Sequence, residues 1–445
     1  MERTLEGLHR TVVVVGGGQA GLSMSFHLVQ RGIDHIVLER ERVGHEWRTR
    51  RWDSFSLVTP NWQCLLPGFP YKGDDPHGFM VKDQITDYIE AYAKSFDVPL
   101  AEGVEVRRLR RTSSGRFAVE TSAGTLTADQ VVAATGPYQV SLVPRMGERL
   151  PERIRQIHAA DYRNPGALPE GAVLVVGSGQ SGAQIAEDLH LAGRRVHLAT
   201  GNAPRVARFY RGRDVVDWLD DMGHYRRSVE DFDDPDSVRL RTNHYVTGRD
   251  GGRDIDLRAF AAAGMRLHGR MESVSGETVR FDGDLKANLD SADRVSESIK
   301  DAIDAYIGAA GLAAPTEARY TPVWEPANED PTVIDLAAEE IAAVVWCTGF
   351  GQDLRWIEAP VFNGRGYPVH RRGVTPVPGL YFLGLPWQWT WGSGRFSGVG
   401  ADAGFLAERI AAHAAAPALD VPWIAGPPPA APDRSAEWTA PRTIA

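Results

Sequence analysis

The same glycine-rich segment occurs twice in this chain at a constant offset, and each copy has the layout of a βαβ nucleotide-binding unit. Residues 12–21 read VVVVGGGQAG and residues 173–182 read VLVVGSGQSG. In each copy, a short apolar run leads into the spacing G-x-G-x-x-G, and a helix-like segment follows. The three glycines allow a tight turn, close approach of the backbone to a pyrophosphate, and close packing of the helix on the strand. The sequence therefore predicts an α/β protein with two Rossmann-like dinucleotide-binding domains.

The residue at the end of the second strand differs between the copies and predicts which dinucleotide each one binds. Glu39 closes the strand 35–38, where a carboxylate accepts hydrogen bonds from the ribose hydroxyls of an unphosphorylated adenosine. Copy two has Thr200 at the same offset, and Arg205 and Arg208 follow it. A hydroxyl and guanidinium groups suit a 2′-phosphate, which a carboxylate would repel. The first site is predicted to bind FAD and the second NADPH, and the alternative for the arginines is a solvated surface.

Composition and charge argue against several classes of function. The chain of 445 residues is 43% hydrophobic and 24% charged, and its net charge of −9 argues against a general nucleic-acid binder. Its two cysteines, Cys64 and Cys347, form no CxxC pair, which fits a reducing compartment and weighs against a dithiol–disulfide reductase. No apolar run approaches the roughly 20 residues of a membrane-spanning helix, and no secretory segment precedes the first strand. We expect a soluble cytoplasmic protein without a metal site.

The order of the motifs predicts that one domain is inserted into the other. A buried strand at 131–136 ends in Thr-Gly, and a strand at 341–349 ends in the same way, on either side of the second glycine-rich unit. The FAD domain is therefore predicted to be discontinuous. The predicted limits are residues 1–160 and 335–413 for the FAD domain, 165–334 for the NADPH domain with an insertion, and 414–445 for a tail rich in Pro and Ala.

Residue periodicity predicts several further elements. Apolar residues at helical spacing indicate helices at 83–96 and 292–309, and alternation indicates a hairpin between 103–110 and 116–121. A last helix is predicted at 400–413. Its N-terminus would place backbone N–H groups at the N1–C2 carbonyl edge of a flavin, where negative charge develops on reduction.

These motifs together resemble the single-component group B flavin monooxygenases. That group contains the flavin-containing monooxygenases, the microbial N-hydroxylases and the Baeyer–Villiger monooxygenases. The resemblance is carried by the two G-x-G-x-x-G units, Glu39, the G-x-x-W segment 44–47 and the two Thr-Gly strand ends. His158 and Tyr162 are similar to the end of the flavin-containing monooxygenase fingerprint, whose front half is absent. Four shorter segments are similar to a bacterial subgroup that is often encoded beside a nitrilase and a radical enzyme: 52–55, 67–71, 385–387 and 392–398.

The resemblance implies an NADPH- and O₂-dependent reaction at FAD. In such enzymes the reduced flavin forms a C4a-(hydro)peroxyflavin, which oxygenates a small molecule, with nitrogen or sulfur centres favoured here. Two alternatives are Baeyer–Villiger insertion and a reductase or dehydrogenase that passes electrons to an acceptor without inserting oxygen. The expected partners are a small-molecule substrate and O₂, with no nucleic acid and no membrane, and a homodimer is left open.

The resemblance and the motifs also nominate site residues. Asn61 resembles an asparagine near the flavin C4a atom, and Arg395 precedes the last helix where a cation would face flavin or nicotinamide phosphates; the alternatives are a turn asparagine and a surface arginine. Trp387, Trp389 and Trp391 alternate, which predicts either an aromatic wall for a flat or cationic substrate or ordinary core packing. The predicted cofactor-binding residues are Gly16, Gly18, Gln19, Gly21, Glu39, Arg40, Trp47, Val106, Thr135, Gly136, Gly177, Gly179, Gln180, Ser181, Gly182, Thr200, Arg205, Arg208, Gly349 and Ser397.

Overall fold

The computed structural model describes residues 4–239, 241–327 and 332–415 of the chain. The helices of these ranges are α1 (Gln19–Gln30), α2 (His45–Thr49), α3 (Lys82–Lys94), α4 (Gln180–Leu191), α5 (Val215–Asp221), α6 (Pro235–Arg239), α7 (Leu257–Ala262), α8 (Leu285–Ala310) and α9 (Val399–Ala415). The strands are β1 (His9–Val15), β2 (His35–Glu39), β3 (Leu65–Leu66), β4 (Phe69–Pro70), β5 (Leu100–Glu102), β6 (Val106–Arg111), β7 (Phe117–Thr121), β8 (Gly124–Ala133), β9 (Val140–Ser141), β10 (Arg155–His158), β11 (Ala172–Val176), β12 (Val196–Ala199), β13 (Phe209–Tyr210), β14 (Arg213–Asp214), β15 (Arg266–His268), β16 (Met271–Ser275), β17 (Thr278–Phe281), β18 (Val333–Asp335), β19 (Ile341–Trp346), β20 (Phe350–Gly351) and β21 (Leu380–Phe382).

The first sheet carries the first glycine-rich unit. Within the described ranges it has seven strands, in the order β5-β2-β1-β8-β7-β6, with β21 also paired to β8. Strand β1 lies at the centre, parallel to both β2 and β8. Its residues Val12, Val13 and Val14 are completely buried, as expected for a β-branched run in a sheet covered on both faces. Helix α1 follows β1 directly and contacts α9, which covers part of the same sheet.

The second sheet repeats this arrangement around the second unit. In the described part of the chain it has five parallel strands, in the order β10-β19-β11-β12-β15. Strand β11 lies between β12 and β19, just as β1 lies between β2 and β8. The two Thr-Gly segments that resemble each other in sequence therefore follow equivalent strands, β8 and β19. The duplication read from the sequence is a duplication of topology.

Sheet membership corrects the predicted domain limits. Strand β10, predicted to lie in the first domain, pairs with β19 in the second sheet. Strand β19, also predicted to lie in the first domain, runs parallel to both β10 and β11 in the second sheet. The second sheet thus uses strands from 155 to 346, and the chain returns to the first sheet at β21. The predicted tail, 414–445, lies outside the described residues apart from its first two.

Other predicted elements are present with shifted ends. The helix predicted at 83–96 is α3, and the predicted hairpin is the antiparallel pair β6–β7. The helix predicted at 292–309 is α8. It begins earlier because Leu289 and Leu285 extend its buried face toward the N-terminus, by one turn and two turns respectively. No helix of the described residues has the length and apolar character needed to cross a membrane.

We call the part of the protein built on the first sheet the first half, and the part built on the second sheet the second half. Residues 52–62 of the first half connect the two. The Ser54 hydroxyl donates a hydrogen bond to Asp188 on α4 (2.6 Å), and the Trp62 indole donates to Asp217 on α5 (2.8 Å). The carboxylate of Asp188, only 5% exposed, also accepts bonds from Tyr162 (2.7 Å) and Arg249 (2.8 Å). Trp52 is buried in the apolar cluster of the second half. The interface is hydrogen-bonded at several separated points.

This interface gives a stability prediction. Asp188→Asn removes the charge that compensates Arg249 and replaces an acceptor of three bonds by an amide with one acceptor oxygen. Because a broken, largely buried ion pair leaves a charge uncompensated, we expect the free energy of unfolding to fall by about 3 kcal/mol, measured by denaturant unfolding. The matched control is Asp301→Asn, whose carboxylate is 72% exposed and pairs with Arg319. Its loss should be less than about 1 kcal/mol, and equal losses would contradict the role given to Asp188.

Candidate functional site

The first glycine loop is shaped to receive a pyrophosphate. A Cβ atom at Gly16 (φ +109°) would lie 2.4 Å from the Ala134 carbonyl oxygen, and one at Gly21 would lie 1.8 Å from the Gly16 carbonyl oxygen. At Gly18, by contrast, no atom lies within 4 Å of the Cβ position. Helix α1 begins at Gln19 without a side-chain cap, so its first N–H groups are available to an anion. The outer glycines are required for packing, and the middle one faces open space.

The second loop has the same geometry. A Cβ at Gly177 (φ +102°) would lie 2.6 Å from the Cys347 carbonyl oxygen, and one at Gly182 would lie 1.7 Å from the Gly177 carbonyl oxygen. The Cβ position of Gly179 has only the Thr242 methyl group nearby, at 3.7 Å. Helix α4 also lacks a side-chain cap, and its first turn contains Gln180 and Ser181. Both loops therefore fit a dinucleotide pyrophosphate.

Glu39 lies beside the first loop, as the sequence predicts. Its carboxylate accepts hydrogen bonds from the backbone N–H groups of Gly17 (2.6 Å) and Glu41 (2.9 Å). The neighbouring Arg40 is exposed, with its Nε atom 3.8 Å from the Glu41 carboxylate. The carboxylate thus closes the edge of the loop at which an adenosine ribose would lie.

Thr200 does not present its hydroxyl at the corresponding edge of the second loop. The side chain is buried, and its hydroxyl donates to the His268 carbonyl oxygen of β15 at 2.8 Å. The hydroxyl that does lie next to the loop belongs to Ser178, which occupies the place of Gly17 and accepts a bond from the Gly201 N–H group at 3.0 Å. No acid occupies position 200, but the Thr200 hydroxyl that was expected to bind the 2′-phosphate points away from the second loop.

Arg205 and Arg208 are engaged in internal ion pairs. Arg205 is 3% exposed; it donates to Asp293 of α8 at 2.6 Å and lies over the Tyr320 ring at 4.1 Å. Arg208 is 1% exposed and donates to Asp214 at 2.5 Å and to the Val58 carbonyl oxygen at 2.6 Å. This geometry does not support the predicted contact with a 2′-phosphate, because both guanidinium groups already neutralise buried carboxylates. The alternative that these arginines form a solvated surface is not supported either, because both side chains are buried.

The strand-end glycines lie at the open edges of the two sheets. Gly136 (φ +73°) and Gly349 (φ +91°) both have open space at the Cβ position. The Gln139 amide donates to the hydroxyl of Thr135 and to the carbonyl oxygen of Gly136, each at 2.8 Å. His158, from the monooxygenase-like fingerprint, shares a 3.0 Å hydrogen bond with the Gly349 carbonyl oxygen, and burial lowers its pKa. His158 thus orders the second strand end.

The segment 392–398 lies over the start of α1. The Gln19 amide donates to the Gly394 carbonyl oxygen at 3.3 Å, and Ser397 lies close against Gly392. The Trp47 ring stacks on Phe396, with centroids 5.7 Å apart. These contacts bring Trp47 and Ser397 to the first glycine loop. Val106, in contrast, lies on β6 at the far edge of the first sheet and packs against the apolar cluster there.

Asn61 is used to hold a loop. Its side chain is 4% exposed; the amide nitrogen donates to the Asp75 carbonyl oxygen (2.9 Å), and the amide oxygen accepts from the Met80 N–H group (2.8 Å). Both polar atoms are therefore committed to the segment 75–80. The structure favours the turn alternative over a contact with flavin.

Arg395 and the three tryptophans face the second half of the protein. Arg395 donates to the Asn243 side chain at 2.9 Å and lies over the Trp391 ring at 3.8 Å, so it is not a surface arginine. The tryptophans do not form one wall, because the segment turns and Trp387 has φ +50°. Their nearest ring or cation partners differ: Phe232 for Trp387, Arg372 for Trp389, and Tyr225 with Arg395 for Trp391.

The structure adds residues that sequence reasoning did not single out. Arg51 lies over the rings of Trp47 and Phe55, and Tyr138 interacts electrostatically with both Arg51 and Arg395. The one available signal was that Arg51 follows the G-x-x-W segment by four residues. Among the residues that the structure describes, no group of three or more His, Cys, Asp or Glu side chains is arranged to hold a metal ion.

Comparison with known proteins identifies the family. A family model described as pyridine nucleotide-disulphide oxidoreductase matches residues 13–221. An uncharacterized CzcO-like oxidoreductase of Geobacillus kaustophilus is 34% identical over 410 residues, which cover 90% of this chain and 98% of that protein. The chain belongs to the CzcO-like oxidoreductases. It has no dithiol pair, since Cys64 and Cys347 are both free and burial raises the pKa of the Cys64 thiol to about 12.

Solved structures share the fold of this CzcO-like chain. A flavin-containing monooxygenase from Stenotrophomonas maltophilia has a TM-score of 0.64 at 20% identity and covers 92% of this chain and 99% of its own. An ornithine N-hydroxylase of Kutzneria, solved with reduced FAD and NADP⁺, has a TM-score of 0.57 at 17% identity and covers 91% and 100%. The predicted fold class is confirmed. The comparisons also support the predicted enzyme class, a flavin-dependent oxidoreductase, and the cofactor pair FAD and NADPH.

The loops give a prediction that separates binding from folding. Gly18→Val places its side chain where nothing lies within 4 Å, so the protein should fold but contain less than about a tenth of the wild-type FAD, because the pyrophosphate needs that space. Gly179→Val should keep its FAD and lose NADPH binding. Gly21→Val is the control, since its Cβ would clash at 1.8 Å and the fold itself should fail. Flavin content and melting temperature of the purified variants measure this; a yellow Gly18→Val protein would contradict it.

A second prediction concerns Arg205. Arg205→Ala should lower the free energy of unfolding by about 2 kcal/mol, because it removes one of the two guanidinium groups, those of Arg205 and Arg258, that pair with the largely buried Asp293 carboxylate. The KM for NADPH of the folded fraction should change less than about twofold. Arg213→Ala, which removes an exposed arginine paired with Asp221, is the control and should cost less than about 1 kcal/mol. A tenfold rise in the KM for NADPH at unchanged stability would return Arg205 to the coenzyme site.

Proposed function

We propose that this CzcO-like oxidoreductase is an NADPH- and O₂-dependent flavin monooxygenase that oxygenates a nitrogen or sulfur centre of a small molecule. FAD would lie at the loop of Gly16, Gly18 and Gly21, and NADPH at the loop of Gly177, Gly179 and Gly182. When bound, the flavin supplies the redox and oxygen chemistry, and the protein supplies binding, orientation and a dry environment.

The observation that carries the proposal is the close contact between the two halves at the junction of the nucleotide loops. Residues 52–62 are hydrogen-bonded to α4 and α5 of the second half, and Arg208 donates across the junction to the Val58 carbonyl oxygen at 2.6 Å. A Cβ at Gly248 would lie 2.0 Å from the Leu57 carbonyl oxygen, so the two backbones are in close contact. Close contacts of this kind would help to exclude water from the space between the cofactors, which an oxygen-transfer reaction requires.

Individual residues have separate parts in this proposal. The uncapped N-termini of α1 and α4 would hold the two pyrophosphates, and Glu39 would hold the ribose of FAD. The segment 392–398 would cover the first cofactor, and residues 242–247 would cover the second, because the Gln180 and Gln184 amides both donate to the Val246 carbonyl oxygen (2.6 and 3.2 Å). The nitrogen preference is supported by the fold shared with the ornithine N-hydroxylase.

The competing function is electron transfer to an acceptor without oxygen insertion. A dithiol acceptor within the chain is not available, because the thiol of Cys64 is buried and Cys347 lies below the second glycine loop. An external quinone or protein would need open access to the flavin edge. The close contacts across the junction favour the monooxygenase.

Stopped-flow spectroscopy tests the proposal. FAD-loaded protein is reduced with one equivalent of NADPH and mixed with O₂. We expect an absorbance transient between the bands of reduced and oxidised flavin that lasts at least tenfold longer than in protein reduced photochemically without NADP⁺, because the bound coenzyme would help exclude water. Peroxide should appear only as the transient decays. Direct reoxidation with immediate stoichiometric peroxide, with and without NADP⁺, would rule out the monooxygenase and leave the reductase.

A further inference from the structure

Two half-buried arginines at the junction of the halves, Arg51 and Arg395, form no ion pair with a residue that the structure describes, although the Glu46 carboxylate acts on Arg51 at longer range. Elsewhere, buried arginines are neutralised: Arg205 by Asp293, Arg208 by Asp214 and Arg258 by three acids. Within the described ranges, no carboxylate lies within ion-pair distance of Arg51 or Arg395. A cation that is partly removed from water without a close counter-ion is unfavourable, and a ligand anion would offset that cost.

Arg395 is fixed but keeps donor capacity. It donates to the Trp391 carbonyl oxygen and, at 2.9 Å, to the Asn243 side chain from the second half. Its guanidinium lies 3.8 Å from the centre of the Trp391 ring, and that ring lies 4.6 Å from Tyr225. Neither of its hydrogen-bond acceptors carries a charge. The guanidinium is therefore held in place with its positive charge uncompensated.

Arg51 belongs to the first half, as Arg395 does, and is held by separate contacts. It lies 4.9 Å from the Trp47 ring centre and 5.6 Å from that of Phe55, and it donates to the Arg50 carbonyl oxygen at 2.8 Å. The Trp47 ring stacks on Phe396, the residue after Arg395, so aromatic contacts connect the two arginines.

Tyr138 lies within electrostatic reach of both guanidinium groups, and its side chain is 48% exposed. Burial lowers the pKa of each arginine, and for Arg51 the Glu46 carboxylate opposes that shift in part. We define the residues Arg51, Tyr138, Tyr225, Trp391 and Arg395 as the arginine–aromatic cluster.

We propose that the arginine–aromatic cluster binds the carboxylate and planar body of an anionic aromatic substrate. The proposal rests on the monooxygenase function above and names its substrate class. Arg51 and Arg395 would receive the carboxylate, since guanidinium groups match its planar geometry, and Trp391 and Tyr225 would contact the ring. It replaces the cationic substrate considered from the tryptophan pattern, because two uncompensated arginines repel a cation.

The other oxyanion of matching chemistry is a phosphate of the coenzyme. Asn243, the partner of Arg395, follows Thr242, whose methyl group is 3.7 Å from the Gly179 Cβ position. The pyrophosphate, however, already has the uncapped N-terminus of α4, and Arg51 belongs to the first half, on the rings of Trp47 and Phe55. These positions favour the substrate carboxylate, and the experiment separates the two sources.

The test is equilibrium binding to oxidised, FAD-loaded protein at saturating NADP⁺, followed by flavin difference absorbance. The probes are phenylacetate and indole-3-acetate, each with its uncharged primary amide as a shape-matched reference. We expect each carboxylate to bind at least tenfold more tightly than its amide. Arg51→Gln and Arg395→Gln should each weaken carboxylate binding about tenfold and leave amide binding unchanged, while the Lys variants should fall between. Arg371→Gln, an exposed arginine paired with Glu230, is the control and should match wild type.

Three outcomes would overturn the proposal. The carboxylates bind no better than the amides in wild type, which needs no variant to establish. The preference survives in both folded Gln variants, as judged by flavin content and melting temperature. Alternatively, the carboxylates compete with NADP⁺ and the variants weaken NADP⁺ binding instead, which would assign the arginines to the coenzyme phosphate. Because the assay contains no reductant and no turnover, its result is independent of the stopped-flow test of oxygen chemistry.

Discussion

Close contact between backbone atoms at the two glycine loops is the constraint on which the rest of the structure depends. At Gly21 and Gly182 the first turn of a helix lies so near the preceding strand end that no side chain fits. This contact directs each helix N-terminus toward the open edge of its sheet. Because the same contact occurs in both halves, the two sheets have the same local order around β1 and β11. The proposed positions of both nucleotides follow from that order.

Much of the fold could be predicted because its determinants are local. Glycine spacing, β-branched runs and helical periodicity lie within a few residues of each other, so β1, α1, β11, α4 and α3 were recognised from sequence. Sheet membership at the domain limits was not, because pairing of β10 with β19 joins segments almost two hundred residues apart. The sequence of a strand indicates that the strand is buried, but it does not indicate which strands lie beside it in the sheet.

The site residues show the same difference between features set by nearby residues and features set by distant ones. The position of Glu39 beside the first loop could be predicted because it follows from the length of the βαβ unit; its contact with a ribose stays a prediction. The internal ion pair of Arg205 could not be predicted from the sequence, because its partner Asp293 lies on α8, far along the chain. A basic run near a predicted phosphate site is ambiguous until the acids of the whole chain are positioned. Conversely, nothing in the sequence distinguishes Arg51, because what sets it apart is that no carboxylate of the described residues comes within ion-pair distance of its guanidinium group.

The contacts of residues 52–62 with the second half limit how the two halves can move relative to each other. With Ser54 bonded to Asp188, Trp62 to Asp217 and Arg208 to Val58, one half cannot swing relative to the other without breaking all three contacts at once. Hydride delivery by large rotation of a domain is therefore disfavoured. The nicotinamide ring itself would have to travel, withdrawing along the cleft while its pyrophosphate stays on α4. The two halves of the protein would then stay fixed, and only the coenzyme would move.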